Sequence, residues 1–99
     1  MDKLKIIWSN RAIKRLYGIL ELCYQSNKSK IDTKKLYLLF HKQVKILLKF
    51  PEIGLHTSEE FIMEHIFDDY IISYQITEDK IIIHSVWKNK QSTDNKTIN

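Results

Sequence analysis

The stretch from His84 to Gln91 holds the residue types best suited to chemistry. His84 can act as a general acid or base near neutral pH, and Lys88 and Lys90 can stabilise charge that develops on a phosphodiester during cleavage. Trp87 can stack on a nucleobase. The competing interpretation is structural: His84 packs in a strand, Trp87 covers the core, and the lysines keep an exposed end soluble. Residue types alone favour the structural interpretation.

No other set of residues has the spacing of a metal site or of a nucleophilic site. The four histidines show neither the i, i+4 helical spacing nor the clustering with cysteine that zinc requires. Cys23 falls on the apolar face of a predicted helix, which is typical of a small core residue. The chain also lacks a glycine-rich phosphate loop and a G-x-S-x-G motif. We therefore expect no metal and no cofactor.

Charge is strongly segregated along the chain. Residues 1–50 contain twelve basic and three acidic residues, a net charge of +9. Residues 51–79 contain eight acidic and no basic residues, a net charge of −8, and residues 80–99 contain four basic residues and one acidic residue. The formal net charge of +4 therefore describes a dipolar molecule, and it is weak evidence for nucleic-acid binding.

Length and composition favour a single small cytoplasmic domain. Ninety-nine residues leave no room for two hydrophobic cores. No apolar run approaches the ~20 residues that span a bilayer, and the N-terminus lacks the apolar segment of a signal peptide. A single cysteine cannot form an internal disulfide, so we expect a reducing compartment.

The first half of the chain predicts one strand and a helical hairpin. Residues 4–8 are β-branched and aromatic and predict a strand. Ser9 or Asn10 can cap a helix over residues 10–26, in which Gly18 suggests close packing against a neighbouring element. A second helix is expected from Asp32 or Thr33 to Lys49, where the following Phe50-Pro51 ends it.

The second half predicts three strands, over residues 61–67, 70–76 and 81–87, after a loop at 51–60. The last strand is apolar on both faces, which indicates a central position in the sheet. The expected fold is therefore α+β, in the order β-α-α-β-β-β, with a helix hairpin packed on a small, mostly antiparallel sheet. We expect one domain over residues 1–91 and a polar, flexible tail over 92–99.

Four strings in this order resemble the RelE/ParE superfamily of toxins from type II toxin–antitoxin systems. They are Ile7-Trp8-Ser9 leading into Ala12, Leu48-Lys49-Phe50-Pro51-Glu52-Ile53-Gly54, Asp69-Tyr70-Ile71-Ile72-Ser73-Tyr74, and residues 81–91. The resemblance covers residues 4–91 and implies the fold described above.

The resemblance implies one of two activities. RelE-like members cut mRNA in the ribosome, whereas ParE-like members poison DNA gyrase and are not nucleases. Both kinds are silenced by an antitoxin that wraps the toxin. The broad apolar stripe of the second helix suits such a partner, with contacts expected at Tyr37, Leu39 and Ile46.

Departures from the family pattern favour the ParE-like activity. Family members often carry an arginine where this chain has Met63, and another where it has Lys90, which lacks the bidentate fork of arginine. We therefore expect a growth inhibitor that binds a protein such as gyrase through Trp87, Lys88, Lys90 and Gln91. The alternatives are a ribosome-dependent endoribonuclease that uses His84, Lys88 and Lys90, and a non-toxic relative that only binds antitoxin.

Overall fold

The computed structural model describes residues 4–27 and 30–89. The elements, in chain order, are β1 (Lys5–Trp8), α1 (Asn10–Asn27), α2 (Lys30–Lys49), a short 3₁₀ turn (Pro51–Ile53), β2 (Leu55–His56), β3 (Ile62–Phe67), β4 (Tyr70–Ile76) and β5 (Lys80–Lys88). Neither helix carries an apolar stretch capable of crossing a bilayer within these residues. The predicted tail, residues 92–99, lies outside the described part of the chain.

The strands form one mixed sheet in the order β1-β5-β4-β3-β2. β1 runs parallel to β5, and the other pairs are antiparallel. The predicted α+β architecture is confirmed, and β5 is an interior strand that lies between β1 and β4, while β4 is the middle strand of the five. The segment predicted as a loop, residues 51–60, also contains the 3₁₀ turn and the two-residue edge strand β2. Both are too short to be detected from sequence periodicity.

Both helices cover the same face of the sheet. The core between them is built from Ala12, Leu16 and Leu20 of α1, Phe40, Val44 and Leu47 of α2, and Met63, Phe67, Ile72, Tyr74, Ile81, Ile83 and Val86 of the strands. Phe40 makes edge-to-face contacts with Phe67 and Tyr70, at ring-centroid distances of 5.1 and 5.2 Å. Such contacts add to the hydrophobic gain of burying the rings. The opposite face, which we call the open face, carries no helix.

Ser9 joins the start of α1 to β5. Its hydroxyl accepts a hydrogen bond from the Ala12 N–H (3.0 Å) and donates one to the His84 carbonyl (2.9 Å). Its own N–H donates to the Ile83 carbonyl. Ser9 is thus the predicted N-cap, and it also fixes α1 beside β5. α2 begins at Lys30, ahead of the predicted caps Asp32 and Thr33.

Gly18 does not serve the close packing expected of it. A Cβ placed on Gly18 would meet no atom within 4 Å, whereas a Cβ on Gly54 would lie 2.5 Å from the Tyr74 Oη and 2.9 Å from the Glu64 carbonyl oxygen. Gly54 is therefore the position that needs the absence of a side chain. Gly18 instead leaves open space beside α1, which becomes part of a groove.

Candidate functional site

Strand β5 contains a β-bulge at His84. Ser73 pairs with Ser85, but the next residue of β4, Tyr74, pairs with Ile83, so β5 holds one extra residue. Ile83 is buried against the helices, while Ser85 shares the open face with Ser73. Because a bulge places two consecutive side chains on one face of the sheet, His84 and Ser85 both point to the open face.

The bulge separates the residues predicted to form a nuclease site. Lys88 pairs with Tyr70, whose ring packs against Phe40, so Lys88 projects on the helix-covered side. His84 instead contacts Gln75 on the open face, its Nε2 donating to the Gln75 Oε1 over 2.9 Å. Two residues four positions apart in a regular strand lie on the same face of the sheet. The extra residue in β5 instead places His84 and Lys88 on opposite faces. Lys90, the third predicted member, lies outside the described residues.

A cavity of about 530 Å³ opens on the open face beside the N-terminal half of α1. We call it the arginine cavity, because Arg11 and Arg15 project into it from α1. Its remaining walls are Thr57, Ser58, Glu59, Ile62, Glu64, Ser73, His84, Ser85 and Trp87. The volume is within the usual range for ligand sites.

The sequence interpretation overlooked Arg11 and Arg15. A usable signal was present, since the two arginines stand one helical turn apart with no acidic residue three or four positions away from either. Their position in the fold was not predictable, because it depends on α1 lying beside β5. Strand β1 pairs only with the first part of β5, Lys80–Ile83. Beyond Ile83, α1 lies beside β5 at the position that a neighbouring strand would otherwise occupy.

A second cavity, of about 670 Å³, continues along the outer side of α1. We call it the Gly18 groove. Its lining comprises Arg15, Gly18, Ile19, Glu21, Leu22, Val86, Trp87 and Lys88. Arg15 and Trp87 also line the arginine cavity, so the two spaces are neighbours. Of the four residues predicted to bind a target, Trp87 and Lys88 lie together in this groove, whereas Lys90 and Gln91 lie outside the described residues.

The three predicted antitoxin contacts do not form one surface. Tyr37 is exposed and its hydroxyl is hydrogen-bonded to His41 Nε2 at 2.9 Å. Leu39 and Ile46 are half-buried, and Leu39 packs against the core. An α-helix turns by about 200° over two residues, so Tyr37 lies on one flank of α2 and Leu39 and Ile46 lie on the other.

Met63, at the position where relatives often have an arginine, is a core residue with 5% exposure. Its identity therefore says nothing about the charge of the open face, to which the next residue, Glu64, contributes. Of the eight acidic residues in the block over 51–79, only Glu64 lies in a strand, and the others lie in turns and loops. The open face is thus less acidic than the linear charge pattern suggests.

Another histidine, His65, has a structural role. It is buried, and its Nε2 donates to the Gln43 Oε1 of α2 over 2.7 Å. Burial lowers the pKa of His65 from its usual value, because the charged ring is desolvated. Within the described residues, no group of three or more His, Cys, Asp or Glu side chains could hold a metal ion.

Comparisons with known proteins agree with this architecture. The chain resembles a structure of the chromosomal ParDE toxin–antitoxin system from P. aeruginosa, with a TM-score of 0.74 at 14% identity, covering 87% of this chain and 96% of that one. YafQ from E. coli BL21(DE3) matches with a TM-score of 0.50 at 17% identity, covering 91% of this chain and 98% of YafQ. A chain of the E. coli DinJ–YafQ toxin–antitoxin complex matches with a TM-score of 0.51 at 15% identity, covering 90% of this chain and 96% of that one.

No curated protein sequence matches the chain significantly. The family model of the ParE toxin of the type II toxin–antitoxin system parDE, however, matches residues 6–93. That match spans most of the chain, from the second residue of β1 to beyond the end of β5. The chain therefore belongs to the ParE toxin family of type II toxin–antitoxin systems.

Proposed function

We propose that this protein is a cytoplasmic toxin that stops growth by binding a protein target, DNA gyrase, and is held inactive by an antitoxin. Membership of the ParE toxin family supports the toxin–antitoxin part of this proposal. The choice of a binding mechanism over RNA cleavage depends on how the residues of β5 are arranged.

The observation that carries this choice is the separation of His84 from Lys88. A nuclease site needs its acid–base group and its cations on the same scissile phosphate, and the bulge directs these two side chains to opposite faces of the sheet. Trp87 and Lys88, in contrast, meet in the Gly18 groove, where both remain accessible. Tryptophan is among the residues most enriched in protein-binding hot spots.

The chain also offers surfaces to an antitoxin. Several large apolar side chains of the helical hairpin are exposed, among them Tyr17, Leu22, Ile31 and Leu38. Side chains of this kind can contribute to an interface where they form a contiguous patch. The predicted contacts Tyr37, Leu39 and Ile46 remain part of the proposal, with the antitoxin reaching both flanks of α2.

Ribosome-dependent mRNA cleavage is the second candidate, and one observation favours it. His84 shares the arginine cavity with Arg11 and Arg15, so an acid–base group and two cations do meet on the open face. Against it, Glu59 and Glu64 line the same cavity. Carboxylates repel the phosphates of RNA, whose binding depends on neutralisation by basic groups.

The cellular test is induced expression combined with mapping of new mRNA 5′ ends. We expect growth arrest without codon-positioned cuts. Lys88→Ala should weaken the toxic interaction by about tenfold, so that arrest needs more inducer, while Lys42→Ala, an equal charge change on the exposed side of α2, should have no effect. New cuts at codon positions would support the nuclease instead. Normal growth with a stable antitoxin complex would identify the non-toxic relative.

A further inference from the structure

The arginine cavity has the composition of a site for an acidic side chain. We propose that it receives a carboxylate from an extended segment of the antitoxin, and that a neighbouring apolar side chain of that segment occupies the Gly18 groove. The inference rests on the proposed function, because it takes the partner to be the antitoxin.

Leaving Arg11 and Arg15 unpaired has a cost in stability. Like charges one turn apart destabilise a helix, and cations near a helix N-terminus oppose its dipole. The first turn of α1 contains no acidic residue, and among the described residues neither arginine forms an ion pair. A carboxylate bound between the two guanidinium groups would remove both penalties through charge-assisted hydrogen bonds.

Ser73 and Ser85 pair across β4 and β5 and line the cavity. They are only 7% and 8% exposed, although they lie on the face without helices. Neither hydroxyl forms a hydrogen bond to another of the described residues. The hydroxyl groups of two nearly buried serines, in a cavity that also holds two guanidinium groups, are suited to bind an oxyanion.

The charge of the cavity favours a carboxylate over a nucleic acid. The lining also contains Glu59 and Glu64, neither of which forms an ion pair with an arginine, so the formal charges of these described residues sum to zero. A chain of phosphates would bring several negative charges and gain little from such a site. A single carboxylate can instead bind an arginine through two parallel hydrogen bonds.

The Gly18 groove supplies the apolar half of the recognition. Arg15 and Trp87 border both spaces, so neighbouring side chains of one segment can reach both. Leu22 in the groove is 64% exposed, and the space over Gly18 is empty. The expected partner segment therefore carries an aspartate or glutamate close to a large apolar residue.

The test is a binding titration of the isotope-labelled full chain with synthetic octapeptides. Each carries one Glu and one Leu at varied separations in a Ser/Gln background, and matched peptides replace Glu by Gln or Leu by Ser. The indole N–H signal of Trp87 reports binding, and that of Trp8 is the internal reference. We expect the peptides with one particular Glu–Leu separation to bind best. Arg11→Gln or Arg15→Gln should weaken the binding of those peptides by about tenfold.

Lys14→Gln is the matched control, because it removes the same charge from α1 outside the cavity. Equal weakening by Lys14→Gln and Arg15→Gln would overturn the proposal, as would Glu and Gln peptides of equal affinity. Tighter binding of an oligouridylate that depends on Arg15 would assign the cavity to RNA instead. A lower melting temperature for Arg15→Gln than for Lys14→Gln would give the arginine a structural role and also contradict the proposal.

Growth arrest by the wild-type chain is scored separately from peptide binding. Arrest without peptide binding would overturn the carboxylate site and leave the proposed toxin function intact. Peptide binding without arrest would contradict the toxin function alone.

Discussion

At the scale of single residues, Tyr74 holds the turn that follows α2 against the core. Its buried hydroxyl donates to the Pro51 carbonyl over 2.6 Å and accepts from the Gly54 N–H at 2.9 Å. Burial raises the pKa of Tyr74 above its usual value, because the phenolate would be desolvated. The turn therefore depends on a neutral hydroxyl and on a glycine small enough to lie against it.

Substitution of the two glycines should have opposite effects. Gly54→Ala would place a methyl group against the Tyr74 ring and the Glu64 carbonyl, so we expect a loss of about 2 kcal/mol in the free energy of unfolding. Gly18→Ala, in open space on α1, should raise that free energy by up to ~1 kcal/mol through helix propensity. Urea denaturation measures both. Equal stabilities of the two variants would contradict the steric account.

The sequence could not distinguish these two glycines. Gly18 stands within a helical pattern and invited a packing explanation, but its surroundings depend on where α1 lies relative to β5. Ser9, in contrast, was predictable as a cap, because capping depends on the residues that immediately follow it in the chain. Local roles could thus be derived from sequence, and roles that depend on distant neighbours could not.

At the scale of elements, the bulge in β5 determines what the site contains. Periodicity located β4 and β5 well because a sheet buries alternate side chains. A strand without a bulge would also place His84 and Lys88 on one face, which the extra residue prevents. The spacing of the core residues, from Ile81 to Ile83 and then to Val86, was the available signal, since an interval of three breaks the alternation.

Deletion of single residues from β5 tests the bulge. Removing His84 makes Ile83 and Ser85 consecutive, which matches Tyr74 and Ser73 on the partner strand, so the pairing register is retained. We expect this variant to fold, with a loss of about 1–2 kcal/mol from the missing Ser9 contact. Removing Ile82 instead either moves Ile81 off the buried face or, if the bulge closes, moves Ile83 off it and places His84 opposite the buried Tyr74. Either outcome should cost several kcal/mol.

The two deletions are compared by chemical denaturation and by amide exchange of β5. Greater damage from deletion of His84 than from deletion of Ile82 would show that the residue pairing is not as described. If the bulge is as described, only the deletion of His84 should be tolerated. A similar loss of stability in both variants would therefore also contradict the bulge.

At the scale of the whole molecule, the segregated charge of the sequence becomes a surface arrangement. The basic residues of the first half lie largely on the two helices, and most acidic residues of the block over 51–79 lie in loops and turns. Among the described residues the one ion pair joins neighbouring exposed residues, Asp79 and Lys80, and such pairs add little stability. The separated charges are therefore available to attract and orient partners.

The fold and the family were predictable at this scale, and the target was not. The order of elements follows from hydrophobic periodicity and helix-ending signals, both of which depend on short stretches of neighbouring residues. A target-binding surface depends on which side chains from distant elements meet. Here Trp87 and Lys88 of β5 meet Gly18 and Leu22 of α1 only through the final packing of the helix beside the strand.

The central claim is that the chain is toxic by binding gyrase and not by cutting RNA. The most direct measurement is DNA supercoiling by purified gyrase with increasing amounts of the purified chain, beside mRNA integrity on programmed ribosomes with the same preparation. We predict inhibited supercoiling and intact mRNA. Normal supercoiling together with cleaved mRNA would contradict the account.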